Sequence, residues 1–326
     1  MSLFEPFVPL LIPSFSSKGN LFVLNSKGQY VSDNYDLPQA LNVRISKSYL
    51  ISAYDIYYGF MPQEPSDWPY TEYLFIDSGG YETNDSFDLS ERNKFNYKVF
   101  PWDQQKMEVV YKKAVACPKF GNSNIILSVF DGQGTFDQQL QSALNFQSRF
   151  PGVFTNFLIK MNFPVNDLLH GLERNGEKLE LFPILGFTEK ELGGSLQERL
   201  LNLVSIRQLL TACGWHGHIH IFGGLEPNLV RLFYSAGADI FDGLSWQRIR
   251  YQNNSTLFAP DRYVVSQDEF TNKYLMMIDN LAYMQGMSST LSVLERNLQK
   301  NATTLREILT SRKNIRICDL LEKLGV

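Results

Sequence analysis

Short apolar runs recur along the chain, separated by stretches in which apolar residues return every three or four positions. That alternation predicts βα units around a parallel sheet. Eight runs read as strands: FVPLLI near residue 7, VRISKSYLI from 43, YLFID from 73, NIILSVFD from 124, FTNFLIKM from 154, LELFPILGF from 179, HIHIFGG from 218 and DIFDGLS from 239. Between them QQKMEVVYKKAV, FDQQLQSALNFQSRF, SLQERLLNLVSIRQLLTACG and PNLVRLFYSAGA read as helices, the third opened by Ser195 as N-cap and several stopped by glycine. Eight such units predict an α/β fold of the (β/α)8 barrel type. An open doubly wound sheet is the alternative topology.

Two segments exceed a minimal βα unit. Residues 78–123 read as an insertion, a long loop plus helix rich in Asn, Asp, Tyr and Phe, placed either as a lid over a substrate or as an ordinary helical insertion. Residues 249–274 form the second. The expected organisation is a barrel over 1–274 followed by a helical appendage over 275–326, in one compact unit.

Composition narrows the class. At 44% hydrophobic and 20% charged residues the chain can bury a large core, and no stretch is low in complexity. Three cysteines, Cys117, Cys213 and Cys318, are too few and too scattered for a disulfide framework or a C-x-x-C metal knuckle. The apolar start MSLFEPFVPLLIPSF lacks a basic leader and is broken by prolines, and no run reaches the roughly 20 apolar residues of a membrane span. A soluble cytoplasmic protein with no membrane partner is expected. The formal charge of -4 offers no global attraction to phosphates, so any nucleic-acid contact needs a local basic patch.

Candidate chemistry gathers at two aspartates. Asp77 in LFIDSGGYE and Asp242 in AGADIFDGLS each end an apolar run and precede a glycine-bearing turn, where the backbone approaches a ligand closely. In a barrel, the strand's C-terminal end is where catalytic groups sit. Asp239 reads as structural. His216, His218 and His220 alternate and share one side of a strand, which offers imidazoles to a metal, but no further ligand is evident nearby and no metal or other cofactor is expected. Gly223 and Gly224, followed by Glu226 and Pro227 at a helix start, read as a phosphate cradle. Tyr54, Tyr57, Tyr58, Tyr81 and Trp246 are candidates to stack a base, and Arg248, Arg250 and Lys273, with Arg306, Arg312, Lys313 and Arg316, are candidates for polymer-backbone contacts or a solvated surface.

In order, FIDSGGYE, SVFDGQG, HIHIFGGLEPNLVRLFYSAGADIFDGLSWQR and NLAYMQGMSSTLSVLERNL resemble the tRNA-guanine transglycosylases, the queuine and archaeosine tRNA-ribosyltransferases. The most specific part is GG-x-x-P, a helix, then GAD-x-FD. The resemblance implies a β/α barrel that exchanges guanine in a polynucleotide, tRNA or DNA, for a 7-deazaguanine by double displacement. It implies Asp242 as nucleophile on the ribosyl C1′, Asp77 as general acid and base, and Asp131 as the reader of the base edge. Ser78, Gly79, Gly80 and Tyr81 complete the turn that carries Asp77, and Asn162 and Gly186 are the nearest counterparts of the family's other base contacts. Glu82 stands where the family has Gln, an added acceptor that favours a base with extra donors or a cation. The family's C-x-C-x-x-C zinc site is missing from 249–326, the region that in the family serves polymer docking and dimerisation. A homodimer or an accessory subunit therefore stays open. Two other classes compete: a different barrel enzyme acting on a phosphosugar or glycoside, and a catalytically silent partner subunit.

Overall fold

The structure is a computed structural model that describes residues 8–19, 22–24, 30–32, 35–83, 98–120, 125–252, 255–258 and 269–298. Eight parallel strands close into a barrel: β1 (Leu10–Phe15), β4 (Ser48–Ser52), β5 (Tyr73–Asp77), β6 (Ile125–Ser128), β7 (Phe154–Ile159), β8 (Ile184–Thr188), β9 (His218–Phe222) and β10 (Ile240–Gly243). They run around it in the order β1-β10-β9-β8-β7-β6-β5-β4. Helices α3 (Gln104–Ala116), α4 (Phe136–Arg149), α5 (Val165–Arg174), α7 (Leu196–Ala212) and α8 (Pro227–Ser235) alternate with the later strands, so this is a (β/α)8 barrel. Parallel strands are covered on both faces and so read as continuous apolar runs. Phe75, Ile76, Ile126, Leu127, Ile184, Leu185, Ile219, Ile221, Ile240 and Phe241 are accordingly without solvent exposure.

All eight expected strands form, with shifted ends. The run from 179 starts late, because Gly176–Leu179 forms a short helix, α6, and Pro183, which has no N–H for a ladder, precedes β8. The run at 124 stops at Ser128, which leaves Asp131 in the loop beyond β6. Two antiparallel hairpins were not anticipated: β2 (Phe22–Leu24) with β3 (Tyr30–Ser32), and β11 (Ile249–Gln252) with β12 (Ser255–Phe258). Two short helices, α1 (Leu37–Ala40) and α2 (Ala53–Tyr57), flank β4.

Helix ends follow local chemistry. Ser195 caps α7 by accepting from the Glu198 N–H at 3.2 Å, while the Glu198 carboxylate reaches back one residue past the cap to accept from Gly194 N–H at 2.8 Å. Beyond α8, Gly237 takes φ +108°, a left-handed conformation that glycine adopts without a Cβ penalty. The last described helix, α9 (Glu269–Leu298), begins six residues before the expected appendage boundary at 275. The helix expected beyond it lies outside the described residues.

The chain divides into two compact units. One comprises the described residues of Ile12–Gly132 and Leu140–Leu158, and the other those of Glu5–Leu11, Gln133–Gln139 and Ile159–Val326. Within the second, Ser288 and Ser292 of α9 donate to the carbonyls of Pro9 and Val8 at 2.6 and 2.8 Å, which fastens the helix to the segment entering β1. Cys117 and Cys213 are free thiols. Among the described residues no helix is long and apolar enough to cross a membrane.

Candidate active site

In the first unit, Asp77 is the last residue of β5 and register partner of Ser52 at the end of β4. Its Oδ2 accepts from Gly79 N–H at 3.3 Å, an Asx-type turn that folds the chain sharply after the strand. Gly79 sits at φ +92°, and a side chain there would meet Tyr54 Cβ at 2.7 Å and the Trp102 indole at 2.9 Å. Trp102 donates to the Ser78 carbonyl at 2.9 Å, so the far end of the 78–103 loop returns onto the turn. Ser78 is buried and its hydroxyl donates to Asp131 Oδ1 at 2.6 Å. A Cβ on Gly80 would fall on the Asp131 carboxylate, so that carboxylate lies against the backbone of the glycine turn. Beneath them the buried Tyr111 hydroxyl lies 3.1 Å from the Ile76 carbonyl and 2.8 Å from that of Ser128, holding the ends of β5 and β6 together. Burial, then the negative charges of Asp77 and Asp131, push the Tyr111 phenol well above its usual range, so it stays a neutral donor.

Glu82, expected as an added acceptor for a base, has its two oxygens engaged within the protein. It is buried, with one oxygen held by the Ser16 hydroxyl and the other by the Ser52 hydroxyl at 2.8 Å. Asp55, on α2, accepts from Ser17 N–H at 2.7 Å and from the Ser17 hydroxyl. Lys18, without solvent exposure, donates to the Tyr81 carbonyl at 3.1 Å and lies 4.7 Å above the Tyr81 ring. Burial raises both carboxyl groups above the usual carboxylate range, and the Glu82 charge raises Asp55 further. This polar interior carries the chain that follows the Asp77 turn, and Tyr81 remains exposed at its edge.

In the second unit, Asp242 lies inside β10 and is buried. Its Oδ1 is 3.2 Å from His220 Nε2 and accepts from Gly223 N–H, also at 3.2 Å. The pairing of Ile240 with His220 puts Asp242 level with Phe222, so Asp242, His220 and Phe222 share one face of the sheet. The three histidines do not converge. His216 is exposed ahead of β9, His218 is 3.8 Å from Asp239, and His220 belongs to Asp242. Asp239 itself is committed to Arg207 and to Ile219 N–H at 2.9 Å. Among the described residues no group of three or more His, Cys, Asp or Glu side chains converges to hold a metal ion.

Several candidates occupy other positions. Gly186 lies within β8 rather than in a turn beyond it, paired with His220, because β8 continues to Thr188. Asn162 is exposed in the loop after β7. The helix start after Gly224 is already capped: the Glu226 carboxylate accepts from Leu229 N–H at 3.0 Å, so an anion there meets a resident negative charge, and Gly223 N–H is taken by Asp242. Glu189 pairs with Arg199, and Thr188 accepts from Lys160 at 3.3 Å. Tyr54 and Trp246 are core residues with no face to offer a base, whereas Tyr57 and Tyr58 are half-exposed beside Phe100 and Trp102. Of the segment read as a lid over 78–123, residues 84–97 and 121–123 lie outside the described residues, as do the four basic residues of the tail.

Sequence reasoning weighed His220 as a metal ligand, expected no metal there and named no partner for it, and it passed over Ser16, Lys18, Ser52, Asp55 and Trp102. The alternation HIHIF carries a signal for a buried polar face, but nothing linear shows that its partner is Asp242. No family model matches the chain, and no curated protein matches it in sequence.

Proposed function

We propose that the protein is a pentosyltransferase that exchanges guanine in a polynucleotide, tRNA or DNA, for a 7-deazaguanine base. In this reading an Asp242 oxygen attacks the ribosyl C1′, the bond from C1′ to the purine nitrogen breaks, and Asp77 gives a proton to the departing guanine. Asp77 then takes a proton from the incoming base, whose nitrogen displaces Asp242 from C1′ and frees the carboxylate. Asp131 accepts from N1–H and the exocyclic amine of the base, two adjacent donors that suit one carboxylate.

The observation that carries the reading is the close fit of Asp131 to the Asp77 turn, with the Ser78 hydroxyl on its Oδ1 and Gly80 against its carboxyl group. Two motifs more than 50 positions apart in sequence are thereby joined, the Ser78 hydroxyl beside Asp77 donating to the Asp131 carboxylate. A glycoside-cleaving enzyme has no use for that third carboxylate. A phosphosugar enzyme would want an open helix start after Gly224, and the Glu226 cap argues against it.

The test is exchange of labelled guanine into DNA and, separately, into unmodified tRNA. Incorporation into one polymer is expected, abolished by Asp242→Ala and lowered by about 100-fold or more in Asp77→Asn, the scale of lost acid–base catalysis. Incorporation into neither, with no covalent adduct trapped on Asp242, overturns the proposal.

A further inference from the structure

The imidazole of His220 has no solvent exposure, and a buried polar ring is costly unless it is bonded. Its Nε2 meets Asp242 Oδ1 at 3.2 Å. An ionised carboxylate only accepts, so this contact requires the tautomer with the proton on Nε2. The ring plane is fixed by Phe222, stacked at 4.0 Å between centroids and 26° between planes. On the other side the register partner of His220 in β8 is Gly186, which has no side chain to compete for the same space. A second donor arrives from the turn after β9, where Gly223 at φ +77° aims its N–H at the same oxygen. A strand and a turn thus place two donors on Oδ1 of one aspartate.

We propose that His220 is a positioning residue for the Asp242 nucleophile, fixing Oδ1 so that the other oxygen attacks, and stabilising the carboxylate when it leaves again. The role rests on the transferase reading above. The charge on Asp242 is lost when the ester to C1′ forms and returns when the incoming base breaks it. Donors on Oδ1 therefore favour the free carboxylate and speed the second displacement more than the first. A residue that merely filled space would affect both halves alike through stability.

The experiment uses the full chain and the polymer that the wild-type protein modifies. His220→Ala is expected to lower kcat by about 10- to 100-fold, within the range for loss of one preorganised donor. KM for the polymer should fall along with kcat, because the first displacement is not slowed, and the fraction of protein trapped as covalent adduct should rise. His220→Gln, which retains an amide N–H donor, is expected to recover most of kcat and the wild-type adduct fraction; it carries the test if His220→Ala does not fold. Independently of activity, 15N spectra of the free protein should show His220 protonated on Nε2, with that hydrogen-bond shift lost in Asp242→Ala. Normal exchange by wild type with an unchanged adduct fraction in His220→Ala overturns the role alone. An unaltered His220 spectrum in Asp242→Ala overturns the contact, and absence of exchange by wild type overturns the function on which the role depends.

Discussion

Asp55 is a carboxyl group with no solvent exposure, two donors from Ser17 and the Glu82 carboxyl close enough to raise its pKa. Burial, then Glu82, hold its folded pKa well above the ordinary 3.8. The folded chain therefore keeps a proton that the unfolded chain releases. The stabilisation is fully present below about pH 4 and is lost as pH rises through the folded value, at up to about 1.4 kcal/mol per pH unit. Glu82, also raised by burial but opposed by Ser16, Ser52 and the Lys18 charge, adds a slope of the same sign. Asp55→Asn mimics the protonated group and retains an acceptor for Ser17. Urea unfolding between pH 4 and 8 should show the variant losing less stability toward pH 8 than wild type. Equal slopes would mean that Asp55 is already ionised in the folded protein.

At the scale of the element, α9 does more than end the barrel. Asn280 is fully buried, accepts from Tyr251 N–H at 2.8 Å and donates to the Trp246 and Ile249 carbonyls, both at 2.7 Å. One side chain thus ties α9 to β11 and to the turn after β10 that follows Asp242. Tyr251 extends the tie, donating to the Leu225 carbonyl at 3.0 Å, next to the Gly223 turn. Asn280→Ala leaves three backbone groups, two of them in buried bonds, without that partner and should cost about 3 kcal/mol. Denaturant unfolding checks the magnitude, and faster amide exchange at Tyr251 checks the location; a loss under about 1 kcal/mol would mean water replaces the amide. The barrel strands were legible because burial on both faces makes parallel strands read as apolar runs, and Ser195 was legible because capping is local. Asn280 was not, since a helical asparagine in NLAYM has no linear mark of the backbone it serves. Ser16, Ser52, Asp55 and Glu82 likewise meet only because β1, β4 and β5 lie side by side, a fact of register rather than of sequence spacing. Of the candidate site, the aspartates and glycine turns were readable from motif order, whereas the commitments of Glu82, Glu226 and Gly223 depend on where their partners fold.

For the whole molecule, a net charge of -4 sets the terms on which the polynucleotide of the proposed transferase would be bound. Attraction must come from a local group of cations, and the salt dependence of binding counts how many of them meet phosphates. Each neutralised phosphate contributes about 0.9 to the slope of log K against log salt on duplex DNA and about 0.7 on single strands. Arg250, on β11, and Lys273, on α9, are half-exposed within the same unit as Asp242. If both meet phosphates, Arg250→Ala with Lys273→Ala should lower the slope by about 1.4 to 1.8 and weaken binding alike for every sequence tested. Anisotropy of a labelled polymer titrated between low and physiological salt measures it. The carboxylates proposed for catalysis are untouched in that variant, so kcat at saturating polymer should hold while KM rises. A slope unchanged from wild type would make both residues solvated surface, and would shift the search for the phosphate path to other cations of the chain.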